Sequence, residues 1–153
     1  EMGPVFERAQ NIRGFQIASP SLIGIRCVQT AFSMIKEAGI DAIAQKAAVG
    51  TQMMIDLYDA WLAPLGFVLN TSRDPKERGG HISLVHPDAA QICVAMREIS
   101  NVIPDYRTPN SIRLAISPLP TSFVEVWDGF ARTRDLVASG QYKTIKEGGS
   151  RVT

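Results

Sequence analysis

Apolar positions recur at helical spacing in the first part of the chain and switch between two periods in the second. From Ser21 onward, Ile25, Val28, Ala31, Phe32 and Ile35 recur at steps of three and four, and Gly39 follows Lys36 as a stop signal. That spacing predicts one helix. Asp41 can cap a second, whose inward positions Ile43, Ala47, Gly50, Met54, Leu57 and Trp61 step by four and three and which ends before Pro64. Two long helices meeting at a tight corner around Gly39 are expected. Ahead of them, residues 14–20 (Gly14, Phe15, Gln16, Ile17, Ala18, Ser19, Pro20) read as a short strand or extended run closed by proline.

After Pro64 the period changes. Residues 66–70 predict a short strand, 71–80 a polar loop with glycines, and 81–86 a second strand in which Ile82 and Leu84 alternate with His81 and Ser83, together an antiparallel pair. Pro87 suits a first helical turn, and Ala89, Ile92, Met96 and Ile99 form one apolar stripe. Residues 103–110 contain two prolines and read as loop. In 111–117, Ile112, Leu114 and Ile116 share one face of a strand, with Arg113, Ala115 and Ser117 on the other. Ser122 and Glu125 make a capping box for a last helix carrying Phe123, Val126, Trp127, Phe130 and Val137, which Gly140 can end. The order predicts an α+β, two-layer fold: a small antiparallel or mixed sheet of about three strands covered by helices. Residues 1–20 would be a lead-in, 21–140 a small domain, and 141–153 a flexible tail.

Composition agrees with one core and narrows the partners. Of 153 residues, 45% are hydrophobic and 20% charged, with 16 basic against 15 acidic side chains and a formal net charge of +1. The basic footprint of a nucleic-acid binder is missing. No apolar run approaches the roughly 20 residues of a bilayer-spanning helix, and Glu1, Met2, Gly3 and Pro4 do not open a secretory signal, so a cytoplasmic location is expected. A start at Glu1 suggests a processed, cut or engineered chain. Cys27 and Cys93, far apart on helical patterns, are expected to be buried free thiols, and His81 and His86 lack the partners of a zinc site.

Few residues are placed for chemistry. Arg113 interrupts a strand built for burial and points away from its apolar face; its planar fork suits a carboxylate, and an arginine on the solvent side of an edge strand is the alternative. His81 could carry a proton at a cleft edge, or be structural. Gly79 and Gly80 precede a strand rather than a helix, which fits turn residues better than a phosphate cradle. A Schiff-base lysine needs a pocket that lowers its pKa, and Lys36, Lys46, Lys76, Lys143 and Lys146 all fall on polar stripes, loops or the tail. No serine or cysteine lies in a nucleophile-elbow pattern. No catalytic residue is expected in this chain.

Several segments, in order, carry a resemblance: 14–20, Arg78-Gly79-Gly80-His81-Ile82-Ser83-Leu84, Asp105-Tyr106-Arg107, Ile112-Arg113, Pro118-Leu119 and Ser122-Phe123. Together they resemble the C-terminal third of kynureninase over residues 1–138. Kynureninases are pyridoxal-phosphate (PLP) enzymes of the aspartate-aminotransferase superfamily, typically homodimers, that hydrolyse L-kynurenine or its 3-hydroxy form to an anthranilate and L-alanine. The resemblance implies that Arg113 holds the substrate α-carboxylate and that Ser19 helps bind the cofactor phosphate across the dimer interface, at a position more often threonine or asparagine. Ala18 and Pro120 also depart from the commoner residues, the latter replacing a tyrosine. His81 and Arg107 match positions read as structural.

The family's cofactor-binding lysine, the aspartate at the pyridine nitrogen and the tryptophan at the phosphate lie, by the same resemblance, N-terminal to this segment. The expected partners are therefore a PLP-bearing large domain, a second subunit and a kynurenine-type substrate, with no nucleic acid, membrane or metal. PLP is not expected to bind this chain covalently, and the segment alone is expected to be inactive. Two alternatives remain: a stand-alone interaction module descended from that domain, and the small domain of a cysteine-desulfurase-like or aminotransferase-like enzyme.

Overall fold

The computed structural model of the chain describes residues 8–16 and 18–145. Contacts divide the chain into two units, Glu1–Gly39 and Ile40–Thr153, a division that places the first long helix outside the unit holding the sheet.

In the first unit a 3-10 turn spans Asn11–Phe15 and helix α1 spans Leu22–Ala38. Of the short strand or extended run expected over 14–20, the first two residues are corrected, while Gln16 has extended backbone. Gly14 and Phe15 complete the turn, which closes where the Gln16 N–H donates to the Arg13 carbonyl at 3.1 Å; Ile17 lies outside the described residues. Among the described residues the sheet contains no strand from this segment. Ser21 caps α1 by accepting from the Gly24 N–H at 3.2 Å, and Gly39, at φ +81°, ends it while its N–H donates to the Ile35 carbonyl. No residue of α1 is buried. Cys27, expected inside, is exposed.

In the second unit, α2 spans Ile40–Leu57 with Asp41 in its first turn, where a carboxylate favours the helix dipole. It runs on through a π-helical turn at Tyr58–Leu62 and a 3-10 turn at Ala63–Leu65 containing Pro64. Gly66, at φ +91°, adopts a left-handed conformation that L side chains resist, and reverses the chain. Then follow β1 (Val68–Leu69), β2 (His81–Val85), α3 (Ala89–Glu98), β3 (Asp105–Arg107), β4 (Ser111–Ala115) and α4 (Phe123–Ala138). The four strands form one sheet in the order β1-β2-β4-β3, antiparallel at every pair.

β3 corrects the loop expected over 103–110. Pro104 and Pro109 bracket it closely, but Asp105, Tyr106 and Arg107 keep their donors and pair with β4. Two ties deliver the chain to that edge: the Val102 N–H donates to the Met96 carbonyl at 2.9 Å, and Arg97 Nη2 donates to the Pro104 carbonyl at 2.9 Å.

One face of the sheet is core. Ile82, Leu84, Ile112, Leu114 and Ile116 are buried against Met54 and Ile55 of α2, Ile92, Cys93 and Met96 of α3, and Val126, Phe130 and Val137 of α4. The close approach of α2 depends on Gly50, where an added Cβ would sit 2.6 Å from Ile116 Cδ1 and 3.2 Å from its Cγ2. The capping box forms as expected: the Glu125 N–H donates to Ser122 Oγ at 3.2 Å, and the Ser122 N–H donates to Glu125 Oε2 at 2.8 Å. Ile99, expected inward, sits at the end of α3 and is exposed. Gly140, at φ +71°, follows α4 as anticipated. Beyond it residues 141–145 hold a 3-10 turn and bury Tyr142, whose hydroxyl donates to Asp88 Oδ2 at 2.8 Å; the rest of the segment read as a tail lies outside the described residues.

Candidate functional site

The other face of the same sheet is polar. Strand alternation puts His81, Ser83 and Val85 of β2, Ser111, Arg113 and Ala115 of β4, and Asp105 and Arg107 of β3 on the side away from Ile82, Leu84, Ile112 and Leu114. The register lines them up in rows. Ser83, Arg113 and Asp105 are Cα partners across three adjacent strands, and Val85, Ser111 and Arg107 form the neighbouring row.

Charge concentrates at the β4–β3 edge. Arg113 Nη2 contacts Asp105 Oδ2, and the same oxygen accepts from Arg107 Nε at 3.0 Å and lies 2.8 Å from Arg107 Nη2. Hydrogen bonding from Arg107, opposed by partial desolvation and helped by the positive charge of both arginines, holds the Asp105 carboxyl below the ordinary carboxylate value. The three side chains are half-open: 38% of the Arg113 side chain is exposed, 35% of Asp105 and 58% of Arg107. Two permanent guanidinium charges against one carboxylate leave a formal +1 in the cluster. Arg113 carries five N–H donors and a carboxylate takes two of them at most in a bidentate pair, so donors remain for a further anion.

On the β2 side the face is neutral and hydrogen-bonded. Ser83 Oγ and Ser111 Oγ lie 2.6 Å apart, and the Ser83 N–H donates to Thr71 Oγ1 at 2.8 Å. His81 is exposed at the first position of β2, paired with Ala115.

Other sequence-level candidates fall into structural roles. Arg78 leaves the 71–80 loop and crosses to α2, donating from Nε to Thr51 Oγ1 at 3.1 Å and from Nη2 to Gln52 Oε1 at 2.7 Å. Gly80 follows, its carbonyl accepting from the Ile116 N–H at 3.0 Å. Arg78 and Gly80 therefore fasten the entry of β2. His86 is buried beside the Phe67 ring, and its Nδ1 accepts from the Asp88 N–H at 3.0 Å. Of the lysines, Lys36, Lys76 and Lys143 are exposed and Lys46 is half-buried near the Phe123 ring; Lys146 lies outside the described residues. No described lysine occupies the desolvated pocket that a covalent cofactor anchor needs. Ser19, in the first unit, is exposed in the irregular stretch ahead of α1.

Asp105 is the member of the site that residue-by-residue reading passed over. The signal was present: an acid and a base two apart in Asp105-Tyr106-Arg107 share one face if the segment is a strand. The flanking prolines pointed to loop instead.

Comparison with known proteins places this geometry in context. Residues 43–132 match the family model described as the kynureninase C-terminal domain. The kynureninase of Geobacillus thermodenitrificans is 36% identical over 143 residues, which cover 94% of this chain and 33% of that protein. Those of Bacillus thuringiensis subsp. konkukian and Shouchella clausii are 32% and 35% identical over 146 and 138 residues, covering 95% and 90% of this chain. The chain spans about a third of the length of the curated relatives it matches.

Proposed function

Since the chain belongs to the kynureninase family, matching its C-terminal domain, we propose that it is the small domain of a PLP-dependent kynureninase. In this reading it contributes the arginine that binds the substrate's α-carboxylate. The whole enzyme hydrolyses L-kynurenine or 3-hydroxykynurenine to the corresponding anthranilate and L-alanine, and works as a homodimer whose larger domain carries the cofactor lysine. The observation that carries the reading is the half-exposed guanidinium of Arg113 on the polar face of the sheet, in a cluster with one positive charge to spare.

PLP, when bound, withdraws electrons from the substrate's α-carbon and so makes the bond between Cβ and the side-chain carbonyl hydrolysable. The described residues of this chain fit orientation of the substrate and do not fit the covalent anchoring of that group. Arg113 would take the α-carboxylate in a bidentate ion pair, fixing the amino acid end of kynurenine so that the carbonyl end has one position. Ser19, by family position, would donate its hydroxyl to the cofactor phosphate. The covered face behind Arg113 holds β4 rigid, so the guanidinium is presented from a strand anchored by Ile112 and Leu114.

The test is Arg113→Ala in the enzyme completed by its lysine-bearing domain. Transition-state binding of L-kynurenine, read from kcat/KM, should weaken by about 2 to 5 kcal/mol, the loss typical when one partner of a desolvated charge pair is removed. Unchanged kinetics would overturn the assignment. This chain alone should show no saturable aldimine absorbance with PLP and should not hydrolyse kynurenine.

A further inference from the structure

Resting on the assignment of Arg113 to the substrate carboxylate, we propose that Asp105 is the residue that positions Arg113, and that Arg107 keeps Asp105 from neutralising it. Asp105 and Arg113 are Cα partners on adjacent antiparallel strands, so the backbone ladder itself sets the span their side chains must bridge. The closest approach to Asp105 Oδ2 is made by Nη2. A guanidinium tethered to a carboxylate on the neighbouring strand has fewer rotamers to sample than a free arginine. Pre-orientation of that kind lowers the entropy lost when the substrate carboxylate arrives.

A carboxylate beside a substrate-binding arginine carries a penalty, because it can compete with the substrate. Arg107 removes most of that conflict. It reaches the same Oδ2 with two donors, at 3.0 Å from Nε and 2.8 Å from Nη2, and is the largest influence lowering the Asp105 pKa. Its position is also set by register, two residues along β3 and opposite Ser111. Asp105 thus shares one negative charge between two guanidiniums, and the trio retains a net positive charge at Arg113, where an incoming carboxylate can use it. The arrangement orients without occupying. It predicts discrimination in favour of substrates with a free α-carboxylate, since amidation would remove the partner for that residual charge.

The experiment is steady-state kinetics on L-kynurenine with the complete enzyme and its variants Asp105→Asn, Asp105→Glu, Arg107→Gln and Arg113→Lys. Asp105→Asn should raise KM roughly tenfold with kcat within about twofold, the pattern of lost positioning in the bound state rather than lost chemistry. Asp105→Glu, which restores the charge on a longer arm, should recover part of that loss. Arg107→Gln, which leaves Asp105 free to neutralise Arg113, should also raise KM, and the double variant Arg107→Gln with Asp105→Asn should resemble Asp105→Asn alone. A KM for Asp105→Asn that is unchanged or lower, while Arg113→Lys raises it, overturns the positioning role and leaves the carboxylate assignment standing. No effect of Arg113→Lys overturns the assignment itself. Should Asp105→Asn fail to fold, the Arg107→Gln result decides, with an unchanged KM counting against the proposal.

Discussion

The two faces of the sheet are built from alternate residues of the same strands, yet they serve opposite purposes. Ile82, Leu84, Ile112 and Leu114 are buried under three helices, while Ser83, Ser111, Arg113 and Asp105, one step along each strand, stay half-open and carry charge or hydroxyls. The covered face holds the fold together through apolar area removed from water. The open face contributes little to stability, because ion pairs that remain in contact with water are worth roughly 0 to 1 kcal/mol. What the open face receives is a rigid mount. The pleat lets one short strand such as β4 stabilise the domain with Ile112 and Leu114 and present Arg113 from the other side, so the two properties should separate under mutation.

The largest expected effect is on the covered face. Leu84→Ala should cost about 2 to 5 kcal/mol of unfolding free energy, because Leu84 is 1% exposed and the helices above cannot fully collapse onto the gap. Its neighbour Ser83→Ala breaks the 2.6 Å contact to Ser111 and should cost no more than about 1 kcal/mol. Urea denaturation of both variants checks this pair, and equal losses would break the contrast between the faces.

Alkaline pH gives the next test. Burial pushes the Cys93 thiol up to about 12 from its ordinary 9.0. In the unfolded chain the thiol ionises above about 9 while the folded one stays protonated, so the unfolded state binds fewer protons and stability falls as pH rises between those values. The slope is at most about 1.4 kcal/mol per pH unit. Urea midpoints at pH 8 and pH 10 should diverge more for the native sequence than for Cys93→Ala. An identical divergence would mean that the thiol is not held dry beneath the sheet.

The smallest effect concerns two helical glycines. Gly50→Ala gains up to about 1 kcal/mol of helix propensity but forces a methyl against Ile116, whose β-branched side chain is 2% exposed and has little room to turn. The net expectation is a loss of about 1 kcal/mol. Gly129→Ala in α4 meets nothing within 4 Å and should be stabilising by about 0.5 to 1 kcal/mol. Thermal melts of the two variants should therefore shift in opposite directions.

Local signals in the chain were sufficient for much of the architecture. The alternation through Ile112, Leu114 and Ile116 assigns β4 and turns Arg113 to the other face, Ser122 and Glu125 mark where α4 begins, and Gly39 and Gly140 mark helix ends. Each of these depends on residues within one or two turns of one another, which is the range over which backbone geometry and capping act. The same range identifies the kynureninase-like segments and the absence of any lysine on an apolar stripe.

What the tertiary structure alone decided depends on residues distant in sequence. β3 is a strand because β4 offers it partners and Arg97 draws Pro104 into place. Asp105 meets Arg113 only through that register, and Tyr142 is held by Asp88 across 54 positions. α1 has the periodicity of a core helix, yet none of its residues is buried: an apolar stripe states what a helix can bury and not what it meets. A sequence encodes the preferences of its segments; which charges become neighbours is settled when strands choose their register, since the energy of a contact exists only once the two backbones that carry it are fixed together.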